Sequence, residues 1–342
     1  MNFQVLSRLF ATLLLVLWLP SVLTAQTQEP SDAPTEGAGL IEGARTLSEE
    51  LVEVQTGAYI MRLGNVSPRD GSFDVDMWMW FRWQGAEIRP DLSFELANGI
   101  ITSRTDTEVL NDEGYNYSTM RVMGTIFHDF DVRRYPMDDH VITIDIEDSL
   151  LESTRLVYVV DDGIALDPQV MVAGWEVGMQ PAYSDTHTYE TTYGFRSSGS
   201  EGATYSRMTI PISLERTSYG TLFKSFWVSL LAVVLGLLAF LVKADDLDAR
   251  FGMGVGSIFA ASANAFIIAD TLPQTTIITL AEQVNLIAVG VIFSTVFISI
   301  WSLRLRYAGR EEDSLKLDMR ALVVMAILYI VMNLLVLRFD FS

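Results

Sequence analysis

The sequence predicts an exported all-β sandwich followed by a bundle of four membrane-spanning helices. Two observations carry this. Four apolar stretches, residues 220–242, 251–269, 284–303 and 321–337, crowd the last third of a 342-residue chain. Each is close to the ~20 residues a helix needs to cross ~30 Å of hydrocarbon. Ahead of them, short segments alternate apolar and polar side chains between turn signals, the pattern of strands with one buried face.

The N-terminus comes first. Residues 1–8 carry one positive charge, residues 9–23 are apolar, and Leu23-Thr24-Ala25 ends in a small residue. This reads as a secretory signal over residues 1–25, cut after Ala25, with an uncleaved anchor as the alternative. Residues 26–46, rich in Pro, Gly, Ser, Thr and Glu, read as a flexible leader.

Residues 47–219 read as the β-domain. Residues 73–83 begin Phe73-Asp74-Val75-Asp76 and then turn apolar on both faces. Residues 141–147 and 208–214 alternate cleanly. Turn signals stand at Pro68-Arg69-Asp70-Gly71, Asp112-Glu113-Gly114 and Asp161-Asp162-Gly163. Many short strands at this spacing predict a sandwich. A short helix is expected over residues 47–54. The chain has no cysteine, so an exported domain must hold together by its core alone.

Residues 220–342 read as the four-helix transmembrane domain. A soluble core of four buried helices is the alternative, disfavoured because soluble helices usually keep a polar face. The connection after the third stretch holds Arg304, Arg306, Arg310, Lys316 and Arg320, and Lys243 and Arg250 border the first connection. Residues 270–283 hold Asp270 and Glu282 and no base. The positive-inside rule then places the N-terminal domain outside, periplasmic or extracellular, on a multi-pass membrane protein.

The formal charge of −20 lies in residues 26–219, the leader and exported domain together, which contain no lysine. That disfavours nucleic acid and anionic surfaces as partners and suits cations or plain solubility. Nothing indicates an enzyme or a bound cofactor. His128, His140 and His187 include no pair at metal-ligand spacing, and there is no phosphate loop or nucleophile elbow. Acidic groups at Asp161, Asp162 and Asp167, and at Asp145, Glu147 and Asp148, are candidate hard-oxygen ligands for calcium as a modulator, or simply solvated turns and strand edges.

One segment is more specific. Asp131-Val132-Arg133-Arg134-Tyr135-Pro136-Met137-Asp138 resembles the signature loop of pentameric ligand-gated ion channels. That loop reads Asp-Val, two variable residues, an aromatic, Pro, an apolar residue and Asp. His128 and Ile142 stand where animal members carry a cysteine pair, as in bacterial members. Residues 64–83 look like the family's first two strands, and Arg216 matches its basic residue before the first span. Residues 248–255 resemble the start of its pore helix, and Thr271-Leu272-Pro273-Gln274-Thr275 the turn after it. Two features depart from the pattern. The proline common in the first span is missing, and Arg89-Pro90-Asp91 resembles a binding-loop motif too far from Asn98.

The resemblance implies an immunoglobulin-like sandwich, a homopentamer around a central pore, and ion flux controlled by a ligand. Its register selects Gly252, Gly256, Phe259, Ala263, Phe266 and Asp270 as pore-lining. Polarity alone would select Met253, Ser257, Ala260 and Asn264. Asp248 and Asp270 become candidate cation-selecting rings, although Ala249-Arg250 also resembles anion-selective members. Asp70, Tyr135, Pro136, Asp138, Arg216 and Pro273 are expected to meet where the domains join. Tyr189, Tyr193 and Phe195, with Tyr115 and Tyr117, are the aromatic candidates for an unknown small ligand. A receptor or adhesion module on a four-span anchor stays open as a different class.

Overall fold

The structure is a computed structural model that describes residues 51–193, 202–216 and 219–340. The expected signal segment and leader lie outside those residues. Two β-sheets come first and four long apolar helices follow.

The strands are β1 (Val52–Ser67), β2 (Ser72–Trp83), β3 (Phe94–Leu96), β4 (Gly99–Arg104), β5 (Leu110–Asp112) and β6 (Tyr115–Phe127). They continue with β7 (His140–Asp148), β8 (Leu156–Val160), β9 (Ala165–Leu166), β10 (Trp175–Met179), β11 (Tyr183–Tyr189) and β12 (Ala203–Arg216). One sheet has the order β4-β6-β2-β1-β8, with β5 on β6 and β9 on β1. The other has the order β10-β12-β7-β3, with β11 on β12.

Period-two alternation builds the core between them. On β2, Phe73, Val75, Met77, Met79, Phe81 and Trp83 are buried. Across from them Ile142, Ile144 and Ile146 of β7 and Ile210 and Ile212 of β12 are fully buried. Where β2 is apolar on both faces, its outer side is occupied by Trp78, 38% exposed, and Trp80. Trp80 lies opposite Gly57, where a Cβ atom would fall 2.3 Å from the indole ring. Only glycine leaves that ring its place against the sheet.

The expected helix over residues 47–54 is not formed in its described part. Val52–Val54 open β1 and run parallel to β8, with Val52 opposite Leu156 and Val54 opposite Tyr158. Val54 is fully buried. A free sheet edge and an inward Val outweigh local helix preference here.

The helices are α1 (Tyr219–Leu238), α2 (Leu247–Thr271), α3 (Leu280–Tyr307) and α4 (Glu311–Asp340). A 3₁₀ turn, Ala239–Leu241, extends α1. All four are long and apolar enough to cross a membrane, the layout of a multi-pass membrane protein. The last three outrun their apolar stretches because charged turns continue them. Glu311, Glu312 and Asp313 occupy the first turn of α4, where the helix dipole favours acids.

The buried core makes a first prediction. Ile144→Ala should destabilise the β-domain by about 2–5 kcal/mol, and Ile144→Val by about 0.5–1.5. Tryptophan-fluorescence unfolding of the two variants checks it. Equal losses would mean that the site does not pack as described.

Candidate functional site

Two places bring predicted residues together: the junction between sheets and helices, and one face of α2. At the junction, Asp138 and Arg216 form a buried bidentate pair, with Nε to Oδ1 at 2.7 Å and Nη2 to Oδ2 at 3.0 Å. The Arg216 amide donates to Asp139 Oδ1 at 3.0 Å. The guanidinium lies 4.0 Å from the Trp175 ring centre and 5.2 Å from that of Tyr135. His140 Nε2 is 2.8 Å from Asp138 Oδ2, and both side chains are buried. Burial alone would push Asp138 up, but its bonds to His140 and Arg216 outweigh that and hold it below its ordinary value of 3.8.

The signature loop also reaches the helices. Helix α3 starts after Thr279, which accepts from the Glu282 amide while Glu282 accepts from the Thr279 amide, a capping box. The next two amides leave the helix. Leu280 donates to the Arg133 carbonyl at 2.9 Å and Ala281 to the Tyr135 carbonyl at 3.1 Å. Tyr135 and Pro136 are buried there, and Pro273 is half-buried beside buried Leu272.

Asp70 does not join the expected cluster. Its carboxylate accepts from Ser67 Oγ at 2.7 Å within its own turn. The neighbouring Arg69 makes the contact to the helices instead, its Nη1 meeting Asp270 Oδ1 at 2.6 Å and the Asp270 carbonyl at 2.7 Å. The sequence reading overlooked Arg69, His140 and Trp175. Residues 138 and 140 share a face at the start of a strand, so their spacing alone could have paired them. Nothing local points to Arg69 or Trp175.

Helix α2 has two faces at helical spacing. Gly252, Phe259, Ala263, Phe266 and Asp270 are exposed on the four-helix unit and Gly256 is half-exposed. Phe259 and Phe266 are 71% and 77% exposed. The opposite face, Arg250, Gly254, Ser257, Ala261, Asn264 and Ile268, is buried. Of the polarity-selected stripe, Ser257 and Asn264 therefore point into the bundle, while Met253 and Ala260 are half-buried. Asn264 Nδ2 donates to the Ser225 carbonyl at 3.1 Å and to Ser229 Oγ at 2.9 Å. Ser229 donates in turn to Asn285 at 2.8 Å. A Cβ on Gly254 would lie 2.7 Å from Val296, so glycine there sets the approach of α2 to α3.

At the other end, Arg250 is buried and paired with Asp318 at 2.5 Å, and also donates to the Val242 carbonyl. Asp248 is exposed in the first turn of α2.

The aromatic candidates divide between the sheets. Tyr189 and Tyr193 pack with Tyr205 and His187, at ring separations of 4.6–6.5 Å. The Tyr189 hydroxyl donates to Glu147 at 2.8 Å, and Arg207 Nε donates to the same carboxylate at 2.5 Å. Burial, then the Glu147 carboxylate, pushes Tyr189 up to about 12. Tyr115 and Tyr117 lie on β6 of the other sheet, where Arg82 sits 4.4 Å over the Tyr115 ring. Phe195 lies outside the described residues. Tyr205 escaped the sequence reading, though its place two residues before Arg207 puts both on one face of β12.

The three acidic residues proposed for calcium do not converge. Asp161 accepts from the Gly163 amide at 2.7 Å. Asp167 accepts from the Tyr59 hydroxyl at 2.9 Å and from the Gln169 amide at 2.8 Å. Asp162 is exposed. Among the described residues no three of His, Cys, Asp and Glu form a metal-binding group.

The chain matches no protein-family model, and no curated protein matches it. The functional reading rests on the geometry and the signature-loop resemblance.

The buried pair makes the second prediction. Removing one partner leaves the other charge buried, at about 3–5 kcal/mol. Asp138→Asn and Arg216→Gln should each lower thermal stability by that order, and the double variant by less than their sum. The folded Asp138 titrates below its ordinary range. Its contribution is therefore present above that range and lost as pH falls through the lower folded value. Asp138→Asn should flatten the acid limb of a stability-against-pH curve. Additive losses and an unchanged acid limb would rule out the pairing.

Proposed function

We propose that the chain is one subunit of a pentameric ligand-gated ion channel of a bacterial inner membrane. Its sandwich would be periplasmic and its pore cation-selective, opened or modulated by a small ligand, protons or divalent cations. The exposed face of α2 carries this reading. From Gly252 to Asp270 a membrane-length helix leaves glycine, alanine and two phenylalanines without partners in its own bundle. Its polar Ser257 and Asn264 are satisfied inside the bundle. Five copies arranged about an axis would give that face a partner and a purpose. The rings of Phe259 and Phe266 would then be narrow and apolar, and would exclude water without full steric closure.

Charge supports cations over anions. Asp248 is exposed at the start of α2 and Asp270, at its end, is met by Arg69, while Arg250, the residue that favoured anions, is buried against Asp318. The aromatic groups support a ligand at a subunit boundary. Tyr189 lies on one sheet, with Tyr193 in the turn after its strand, and Tyr115 and Tyr117 lie on the other, so one chain would offer each set to a different neighbour. Such rings suit a cationic amine. Calcium at Asp161, Asp162 and Asp167 would need ligands from a second subunit, since among the described residues of one chain these acids form no metal-binding group. In a receptor or adhesion module without a pore, lipid would cover that face, as it would the exposed Phe293 and Phe297 of α3.

Detergent-solubilised particles should show fivefold symmetry, and monomers or dimers would refute the assembly. Phe259→Ser or Phe266→Ser should produce leak current in bilayers without added ligand. Asn264→Ala should lower thermal stability and leave conductance alone. Silent Phe variants with conduction controlled by Asn264 would assign the pore to the other face.

A further inference from the structure

The last turn of α2 holds no basic residue and ends with an acid, Asp270, beside the partial negative charge of the helix C-terminus. That placement is unfavourable within the helix. The sandwich corrects it from outside. Arg69, in the turn between β1 and β2, places Nη1 2.7 Å from the Asp270 carbonyl and 2.6 Å from its carboxylate. One guanidinium thus meets a terminal carbonyl of α2 and cancels the charge of its acid.

The turn that carries Arg69 is fixed to the sandwich. Ser67 and Asp70 bond to each other within it, and the Gly71 carbonyl accepts from the His128 amide at 2.8 Å. Arg69 therefore travels with the β-domain. Its hold on Asp270 is the opposite of rigid, because the two side chains are 53% and 76% exposed. Exposed pairs are weak and screened by salt.

We propose that Arg69 determines the charge of the outer mouth. With the turn in place, each subunit presents a neutral Arg69–Asp270 pair; with the turn withdrawn, each presents a bare carboxylate. The sandwich then governs how strongly the mouth attracts cations, separately from whether the Phe rings are open. This rests on α2 being the pore helix.

The test is a charge cycle read as single-channel conductance in potassium chloride. Relative to the neutral wild-type pair, Arg69→Gln leaves one negative charge per subunit, Asp270→Asn leaves one positive charge, and the double variant is neutral. Arg69→Gln should raise conductance about twofold or more at ~0.01 M salt, where charges act over about 30 Å. Asp270→Asn should lower it by a comparable factor, and the double variant should return to the wild-type value. Arg69→Lys, which keeps the charge, should stay near wild type. All differences should vanish at ~1 M salt, where the range is about 3 Å. An Arg69→Gln channel identical to wild type beside a weakened Asp270→Asn channel would overturn the proposal, as would a double variant that behaves like Asp270→Asn. Wild-type protein that passes no current fails the channel reading itself, a result distinct from either of these.

Discussion

The first turn of α3 joins the two halves of the molecule. A helix start has amide hydrogens with no partner inside the helix, and here the surrounding residues Thr279, Leu280 and Ala281 are almost fully buried. Water is not at hand to take them. Thr279 and Glu282 satisfy each other, and the carbonyls of Arg133 and Tyr135 take the amides of Leu280 and Ala281. Pulling the signature loop away would orphan two buried donors, at about 1–3 kcal/mol each. It would also open apolar packing, because Phe130, Val132, Tyr135 and Trp175 share one buried cluster with Ile268, Leu272 and Ala281 of the helices. The sandwich core and the helix ends are one continuous body.

That constraint accounts for the cost accepted at Arg216. A cation with little exposure beside a membrane domain is expensive unless every donor is used. Arg216 closes on Asp138, stacks on Trp175 and lies near Tyr135, whose carbonyl caps α3. Its amide is held by Asp139. The same few residues therefore fix the end of β12 and the loop seated on α3. Movement of one of these elements is felt by the others through bonds that cannot be broken cheaply.

Much of this was legible in the sequence, for identifiable reasons. Strands with clean alternation announce themselves: in the first part of β7 one face is buried and the other is not, while β12 alternates in polarity although both its faces are buried from Met208 to Ile212. The four long helices are read from apolar length alone. The buried face of α2 was harder. Asn264 and Ser257 are polar, and polarity in a membrane helix points equally to a water-filled pore or to hydrogen-bonded packing. Only the positions of Ser225, Ser229 and Asn285 decide that here the polar groups are packed. The missed residues share a trait: the meaning of each lies in a partner distant in sequence. Arg69 is an ordinary turn residue until Asp270 is beside it, and Trp175 an ordinary strand aromatic until Arg216 lies over it. The described part of the helix expected over residues 47–54 is strand for the same reason, since β8 supplied an edge that local preference could not anticipate.

Two ion pairs lie near the junction, one inside the sandwich and one from the sandwich to a helix, and magnitude separates their roles. Asp138–Arg216 is buried, bidentate and shared with His140, so losing one partner costs about 3–5 kcal/mol. Arg69–Asp270 is exposed on both sides, and pairs of that kind contribute about 0–1 kcal/mol. A difference of this size means that thermal motion or a modest displacement breaks the second long before the first. The buried pair suits a fulcrum and the exposed pair a contact that can be made and released. The second alone reaches a helix, so a small displacement of the sandwich would break it first. The weakness of that contact, which makes it negligible for stability, is what lets it respond.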